Sequence, residues 1–253
     1  MNGARSTEHA ARTLVLIPAF NEAGKIAEVI RRVWGVVPEC DILVVNDGSR
    51  DETAREAAAA GALVVSHPFN MGYGVTIQTG YKYAWTRGYD FLAQIDGDGQ
   101  HDPAFLPTLL APVMAGEADV CVGSRFLEVA SYRPSFARRL GIAFFRKVVS
   151  LLTRQRVTDP TSGYQAFNRD VIRFFTTEFF PCDYPDADIL LTLHLAGFIS
   201  REVPVRMYAN GEGKSMHNGL KPLYYVFKMC LAIFVTMLRS HRLYREGRNG
   251  KKR

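Results

Sequence analysis

The chain has 253 residues, 47% of them hydrophobic and 22% charged, with 21 glycines and 12 prolines. Those proportions exclude collagen-like, low-complexity and wholly disordered chains, and the length is ample for one large α/β domain with a buried core. The net charge of +6 sits at one end: Arg239–Arg253 holds seven Lys/Arg against Glu246 alone, and the rest of the chain is balanced.

Residues 1–12, MNGARSTEHAAR, contain no apolar run and read as a disordered terminus rather than an export signal. Thr13–Pro18 is apolar and β-rich and predicts a first strand. Glu22–Val33 carries Ile26, Val29, Ile30 and Val33 at helical spacing. Asp41–Asn46 reads as a second strand. Asp51–Ala60 reads as a helix whose start carries Asp51 and Glu52, acids that suit the positive end of the helix dipole. Ala62–Ser66, Gly74–Arg87 and Asp90–Ile95 continue as strand, helix and strand. Pro103 opens another helix at a position where its missing N–H costs nothing, and Ala118–Gly123 is a fifth strand. Strands separated by helices of this length predict a mostly parallel sheet covered on both faces.

Beyond Gly123 the pattern changes. Arg125–Arg156 holds eight Lys/Arg and one acid, Glu128, and Leu140–Leu152 has its apolar residues at helical spacing, which predicts a basic amphipathic helix. A polar turn at Asp159–Gly163, a strand at Tyr164–Asn168, a helix at Asp186–Ala196 and a strand at Ile199–Met207 follow. Asn210–Gly219 is Gly-rich and precedes the last helix. Leu223–Leu238 is apolar for 16 residues apart from Lys228. As a helix it spans about 24 Å at about 1.5 Å per residue, short of the roughly 30 Å of a bilayer core. It reads either as a core helix or as a helix lying in the membrane interface. Lys221 before it and the basic tail 241–253 after it favour the interface. The tail itself fits an anionic surface, lipid or nucleic acid, or a simple solubilising extension. Cys40, Cys121, Cys182 and Cys230 form no CxxC pair, which argues against a disulfide framework or zinc site and for a reducing, cytosolic setting.

In an open parallel sheet, ligands bind beyond the carboxyl ends of the strands. Three such ends are acidic or amide-rich: Pro18–Glu22, Asn46–Ser49 and Gln94–Gln100. In Asp96-Gly97-Asp98, two carboxylates two residues apart can reach one hard cation, Mg²⁺ or Mn²⁺, whose shell substrate phosphates complete. An ordinary Asp-Gly turn is the alternative for that motif in isolation. A dehydrogenase of Rossmann type needs GxGxxG after the first strand, and the chain has none there. A nucleotidyltransferase needs a basic Gly-rich loop at that point, where Pro18–Glu22 is acidic.

Pro18-Ala-Phe-Asn-Glu22, Asn46-Asp-Gly-Ser49, Asn70-Met-Gly72, Asp96-Gly-Asp-Gly-Gln-His101 and Gly123-Ser-Arg125, in this order, resemble the family 2 glycosyltransferases of GT-A type. Asp159-Pro-Thr-Ser-Gly163, Glu202-Val-Pro204 and Gly213-Lys-Ser215 resemble the branch containing dolichol-phosphate mannose synthases and bacterial polyprenyl-phosphate glycosyltransferases. The resemblance implies an inverting, metal-dependent transfer from a UDP- or GDP-linked sugar to a membrane-associated acceptor, with a catalytic domain over residues 13–219 and a packing or interfacial helix over 220–240. It implies that Pro18, Phe20, Glu22, Val45 and Asp47, with Asp96, Gly97 and Asp98, bind the nucleotide-sugar. Asp96, Asp98 and Gln100 would carry Mg²⁺ or Mn²⁺, Arg125 would reach the phosphate region, and Asp186 and Asp188 would lie near the acceptor.

Asn210 stands where the branch has an arginine, so Arg206, Lys214 or His217 is left to bind an acceptor phosphate, or the acceptor is a hydroxyl. A hydroxyl acceptor would require a carboxylate such as Asp186 or Asp188 as base. The expected partners are a nucleotide-sugar, a lipid-linked acceptor and the anionic inner face of the membrane, with no nucleic acid. A homo-oligomer or membrane-protein partner stays open, as does a non-catalytic scaffold that binds the sugar nucleotide.

Overall fold

The apolar runs Thr13–Ala19 (β1), Asp41–Asn46 (β2), Leu63–Ser66 (β3) and Phe91–Gln94 (β4) pair in parallel, with β1 between β2 and β4. A computed structural model describes residues 11–127, 136–181, 187–208 and 221–250. Its sheet continues through Val120–Ser124 (β5), Gln165–Asn168 (β6) and Ser200–Pro204 (β7), and among the described residues the spatial order is β3-β2-β1-β4-β6-β5-β7. β6 runs antiparallel to both its neighbours, β4 and β5, and every other pairing is parallel. The reversal places the amino end of β6, and the turn 159–163 that feeds it, at the same edge as the carboxyl ends of β1, β2, β4, β5 and β7.

Side chains alternate across the strands, so each strand feeds two cores. Leu14, Leu16, Leu43, Val45 and Leu92 face one side, under Tyr73–Arg87 (α3), Phe136–Thr153 (α5), Arg169–Phe175 (α6) and Ala187–Leu195 (α7). Val15, Ile17, Ile42, Val44 and Ala93 face the other, under Ile26–Val36 (α1), Thr53–Ala59 (α2) and Leu106–Met114 (α4), which a 3₁₀ turn at Pro103–Phe105 precedes. The expected helix-covered, mostly parallel sheet is the one found.

Several elements depart from the expected bounds for local reasons. α1 begins at Ile26 rather than at residue 22, because Asn21 (φ 57°) and Gly24 (φ 83°) turn the chain through left-handed conformations first. α6 was not expected; Asn168 caps it by accepting from the Val171 N–H at 3.1 Å. The final strand ends at Pro204, and Met207 instead bridges to His101 in antiparallel fashion. Of the amino-terminal segment, residues 1–10 lie outside the described residues. Arg12 is clamped rather than disordered: it bonds the Arg87 carbonyl and Asp41 and lies over the Tyr89 ring, while its backbone N–H bonds Asp90.

The carboxyl-terminal region is also more ordered than a tail. Lys221–Leu238 (α8) buries Met229 and Ile233 against the domain and exposes Phe227, Leu231, Phe234 and Leu238 as a stripe on its other side. No helix among the described residues is long and apolar enough to cross a membrane. Of the residues read as a basic tail, 241–250 belong to a further helix, Ser240–Gly250 (α9), packed on α6 and α7, and 251–253 lie outside the described residues. Leu243 is buried, Arg242 pairs with Glu178 at 3.0 Å, and Arg173 lies 3.7 Å from Glu246. A Cβ at Gly247 would overlap the Ala196 carbonyl, so glycine permits this close approach. Gly247→Val is expected to undock α9 at a cost of about 1–3 kcal/mol, the range for overpacking. A lower urea midpoint with new tryptic cleavage at Arg242 and Arg245 supports this; an unchanged midpoint and digest contradict it.

Candidate functional site

The turn that leaves β1 is held open by acceptors from the turn that leaves β2. Asn21 N–H donates to Ser49 Oγ at 2.9 Å, Glu22 N–H to Thr53 Oγ1 at 2.8 Å, Ala23 N–H to Asp51 at 3.1 Å and Gly24 N–H to Glu56 at 2.7 Å. Four successive backbone donors of the loop before α1 are thus satisfied across the edge. Pro18 is buried and Phe20 is exposed at the rim. Burial raises the Glu22 carboxyl above its ordinary range; Lys25 opposes this, and the nearby charges of Asp98 and Asp51 add to it. Val45 is wholly buried in the core beneath α3, so its side chain faces the core and not the expected ligand.

Asp47 is buried as well, and its carboxylate is spent within the protein. It receives the Met71 N–H at 2.8 Å, the Gly72 N–H at 2.9 Å and His67 Nδ1 at 2.8 Å. Burial pushes its pKa up, but these hydrogen bonds together outweigh that and hold it below the usual carboxylate range. Its observed work is to fix the loop 67–72 that leads into α3. Gly48 (φ 68°) lets this loop come close, since a Cβ there would lie 2.5 Å from the Phe69 carbonyl carbon.

At the end of β4, Asp96 and Asp98 stand at the centre of the edge. Asp96 Oδ1 accepts from the Tyr73 hydroxyl at 3.2 Å, and Asp96 Oδ2 is 3.7 Å from His101 Nε2. Burial raises the Asp96 pKa to about 7, and the Asp98 charge adds to the rise. His101 Nδ1 accepts the Asp96 N–H at 3.0 Å, and burial lowers its pKa to about 4, so the ring is neutral and stacks on Tyr164. Gly97 is wedged against Pro18 and Ile26. Gln100 donates to Asp98 from its backbone N–H at 2.9 Å and also from its side-chain amide, so it orients Asp98 rather than joining the pair as an equal.

The far wall comes from the reversed strand. Arg125 grips the fully buried Asp159 with two parallel bonds, Nε–Oδ2 at 2.6 Å and Nη2–Oδ1 at 2.7 Å, and Nη2 also donates to Thr161 at 2.8 Å. The Arg125 N–H adds a bond to the same carboxylate at 3.1 Å. Arg125 therefore shapes the 159–163 turn, and its charge also acts on Asp96. Glu202 on β7 accepts the N–H groups of Thr158 and Asp159 at 2.8–2.9 Å. Burial raises its pKa and the backbone donors oppose the rise.

The segment after β7 returns to the Asp96 loop. The Tyr208 N–H donates to the Gln100 carbonyl at 2.8 Å, and the Asp102 N–H lies 3.4 Å from the Arg206 carbonyl. Asp102 takes Arg32 and the Tyr208 hydroxyl, both at 2.7 Å. Arg206 is thus exposed beside the acidic loop, while Lys214, His217 and Asp186 lie outside the described residues. Asp188 is buried and lines a groove of about 350 Å³ between α7, α8 and α9, together with Thr192, Lys228, Thr236 and Arg239. The structure therefore brings Pro18, Glu22, Gly97, Asp96, Asp98 and Gln100 together at one edge of the sheet, with the Arg206 backbone beside them, while Val45 is buried in the core and Asp47 and Arg125 are bonded to internal partners. Tyr73, Gln94 and Asp102 belong to the site without having been anticipated from the sequence.

The donor set suits a hard divalent cation. Among the described residues no three His, Cys, Asp or Glu side chains gather to hold a metal by themselves. Two adjacent carboxylates with substrate oxygens are the arrangement Mg²⁺ favours.

Residues 14–175 match the glycosyl transferase family 2 domain. Over 171 residues the chain is 35% identical to the polyprenol monophosphomannose synthase of Mycolicibacterium smegmatis, a match covering 64% of this chain and 63% of that relative. Over 223 residues it is 29% identical to the undecaprenyl-phosphate mannosyltransferase of Micrococcus luteus, covering 82% of this chain and 88% of that one. Among solved structures, glucosyl-3-phosphoglycerate synthase from Mycobacterium tuberculosis, in complex with Mn²⁺, UDP and phosphoglyceric acid, superimposes with a TM-score of 0.65 at 22% identity, covering 91% of this chain and 78% of that chain. That likeness is one of fold.

Removing one partner of a buried ion pair strands the other charge. Asp159→Ala is expected to cost about 3–5 kcal/mol in urea unfolding, and the double variant Arg125→Met, Asp159→Leu less than Asp159→Ala alone. Equal stability of Asp159→Ala and the parent contradicts the role assigned to the pair.

Proposed function

The chain belongs to glycosyl transferase family 2, and on that footing we propose that it moves a sugar from a nucleoside-diphosphate donor to a polyprenyl phosphate at a membrane surface. The observation that carries this reading is the Asp96/Asp98 pair at the end of β4, with negative charge concentrated where a donor diphosphate would lie. The names of the two relatives above favour mannose as the sugar and a polyprenyl phosphate as the acceptor.

In this reading an acceptor phosphate oxygen attacks the anomeric carbon from the face opposite the diphosphate. The new carbon–oxygen bond forms as the bond to the diphosphate breaks, the nucleoside diphosphate leaves with the electron pair, and the configuration inverts. Asp96 and Asp98 would hold Mg²⁺ or Mn²⁺, whose charge stabilises the leaving diphosphate. Gln100 keeps Asp98 in place, and Phe20 and Glu22 border the donor opening. A phosphate acceptor is already anionic at neutral pH and needs no strong base. Arg206, beside the acidic loop, is the described candidate for binding its phosphate.

The same reading places α8 and α9 against lipid. Phe227, Leu231, Phe234 and Leu238 form an apolar stripe, and Arg239 and Arg245 are exposed beside or beyond it. A helix of this kind lies in the headgroup region, and each nearby basic residue adds about 1 kcal/mol of attraction to anionic lipid.

Asp98→Ala is expected to lower transfer from GDP- or UDP-sugars to polyprenyl phosphate by roughly a hundredfold or more, with the fold preserved by circular dichroism. Transfer within tenfold of the parent rules out the assignment of Asp98. For membrane attachment, Phe227→Glu with Phe234→Glu is expected to abolish co-sedimentation with phosphatidylglycerol vesicles. Arg239→Glu or Arg245→Glu is expected to weaken binding by roughly fivefold each, more at low salt than at high. Unchanged sedimentation of all these variants removes the stripe from the account.

A further inference from the structure

The buried amide of Gln94, two residues before Asp96, carries an orientation that its neighbours fix completely. Its Nε2 lies 3.1 Å from the Gly163 carbonyl oxygen, which can only accept, so the nitrogen faces that side. Its Oε1 then accepts from the Tyr81 hydroxyl at 2.6 Å. The same Nε2 lies 2.9 Å from the Tyr73 oxygen and donates to it, so the single Tyr73 proton is directed at Asp96 Oδ1, 3.2 Å away. The chain of donors runs in one direction, from Tyr81 through Gln94 and Tyr73 to the carboxylate.

Tyr73 also stands at a junction. It is the first residue of α3, directly after Met71 and Gly72, whose N–H groups Asp47 holds. Gly163 on the 159–163 turn is close enough that a Cβ there would lie 3.0 Å from the Tyr73 oxygen. One hydroxyl thus touches the metal-side carboxylate and the polar group beside it, and abuts the turn that Arg125 and Asp159 shape.

We propose that Tyr73 is a positioning residue for the cation site: its Gln94-directed hydroxyl holds Asp96 in the orientation that receives the divalent ion and couples that orientation to the 159–163 turn. This rests on the metal reading above. The hydroxyl fixes one carboxylate oxygen and leaves the other, near His101 Nε2, to its own partner. Hydrogen bonds of this outer kind tune metal affinity by roughly 10–100-fold when removed.

The test measures Mn²⁺ binding directly, by the electron paramagnetic resonance signal of free Mn²⁺ titrated into the full chain with GDP, and in a parallel series with UDP. Tyr73→Phe keeps the ring and is expected to weaken Mn²⁺ binding by roughly tenfold. Nucleotide affinity in metal-free buffer and the urea midpoint are expected to stay at parent values, which separates positioning from general loss of structure. Gly163→Ala, which crowds the hydroxyl without removing it, is expected to weaken Mn²⁺ binding in the parent and to add nothing in the Tyr73→Phe background. Mn²⁺ affinity of Tyr73→Phe within twofold of the parent overturns the proposal, as do additive effects of the two substitutions. A parent chain that takes up no Mn²⁺ with either nucleotide overturns the metal reading itself and this inference with it.

Discussion

Asp96 and Asp98 repel one another in a setting that supplies neutral donors but little positive charge. The Tyr73 hydroxyl, the neutral His101 ring and the amide of Gln100 surround them. Arg125, whose charge acts to lower the Asp96 pKa, is committed to Asp159. Burial first, and the Asp98 charge after it, raise the Asp96 pKa to about 7. Much of the surrounding architecture keeps it so. The carboxyl ends of the parallel strands converge there, β6 runs backwards to bring the 159–163 turn to the same edge, and Glu202 and Asp102 tie the flanking segments down.

Most of the sheet could be read from the sequence because periodicity is local. Leu14 and Leu16 against Val15 and Ile17, or Ile26, Val29, Ile30 and Val33, declare strand and helix within a few residues of themselves. The direction of β6 could not be read, since Gln165–Asn168 has the same pattern whichever way it runs and only the path of the preceding turn decides. α6 was hidden because its seven residues are too few to show a helical repeat, although Asn168 offered a capping signal. α9 was hidden because its charge dominates its composition, while its docking depends on Leu243 and on Gly247 meeting Ala196, a position far away in the chain.

The site was legible as a set of residue types and not as a set of roles. Asp96-Gly-Asp98 announced itself by spacing. Nothing local in the sequence announced that Arg125 is held by Asp159, 34 residues on. Val45 lies on the core-facing side of its strand, and Asp47 is consumed by three donors between residues 67 and 72. The relay through Tyr73 and Gln94 joins residues that sequence distance separates, and no local rule names such partners. α8 shows the same limit: its sequence is apolar nearly all round, so both expected readings hold, one for Met229 and Ile233 on the inner face and the other for Phe227 and Phe234 on the outer.

The central claim is that the carboxylates of Asp96 and Asp98 bind a divalent ion together with the donor diphosphate. Crystals grown with Mn²⁺ and a nucleoside diphosphate, measured on both sides of the manganese absorption edge, test it most directly. The account predicts one anomalous peak within coordination distance of oxygens from both side chains and from the diphosphate. A bound nucleotide with no such peak at this edge of the sheet, or with the peak ligated by other side chains, would contradict it.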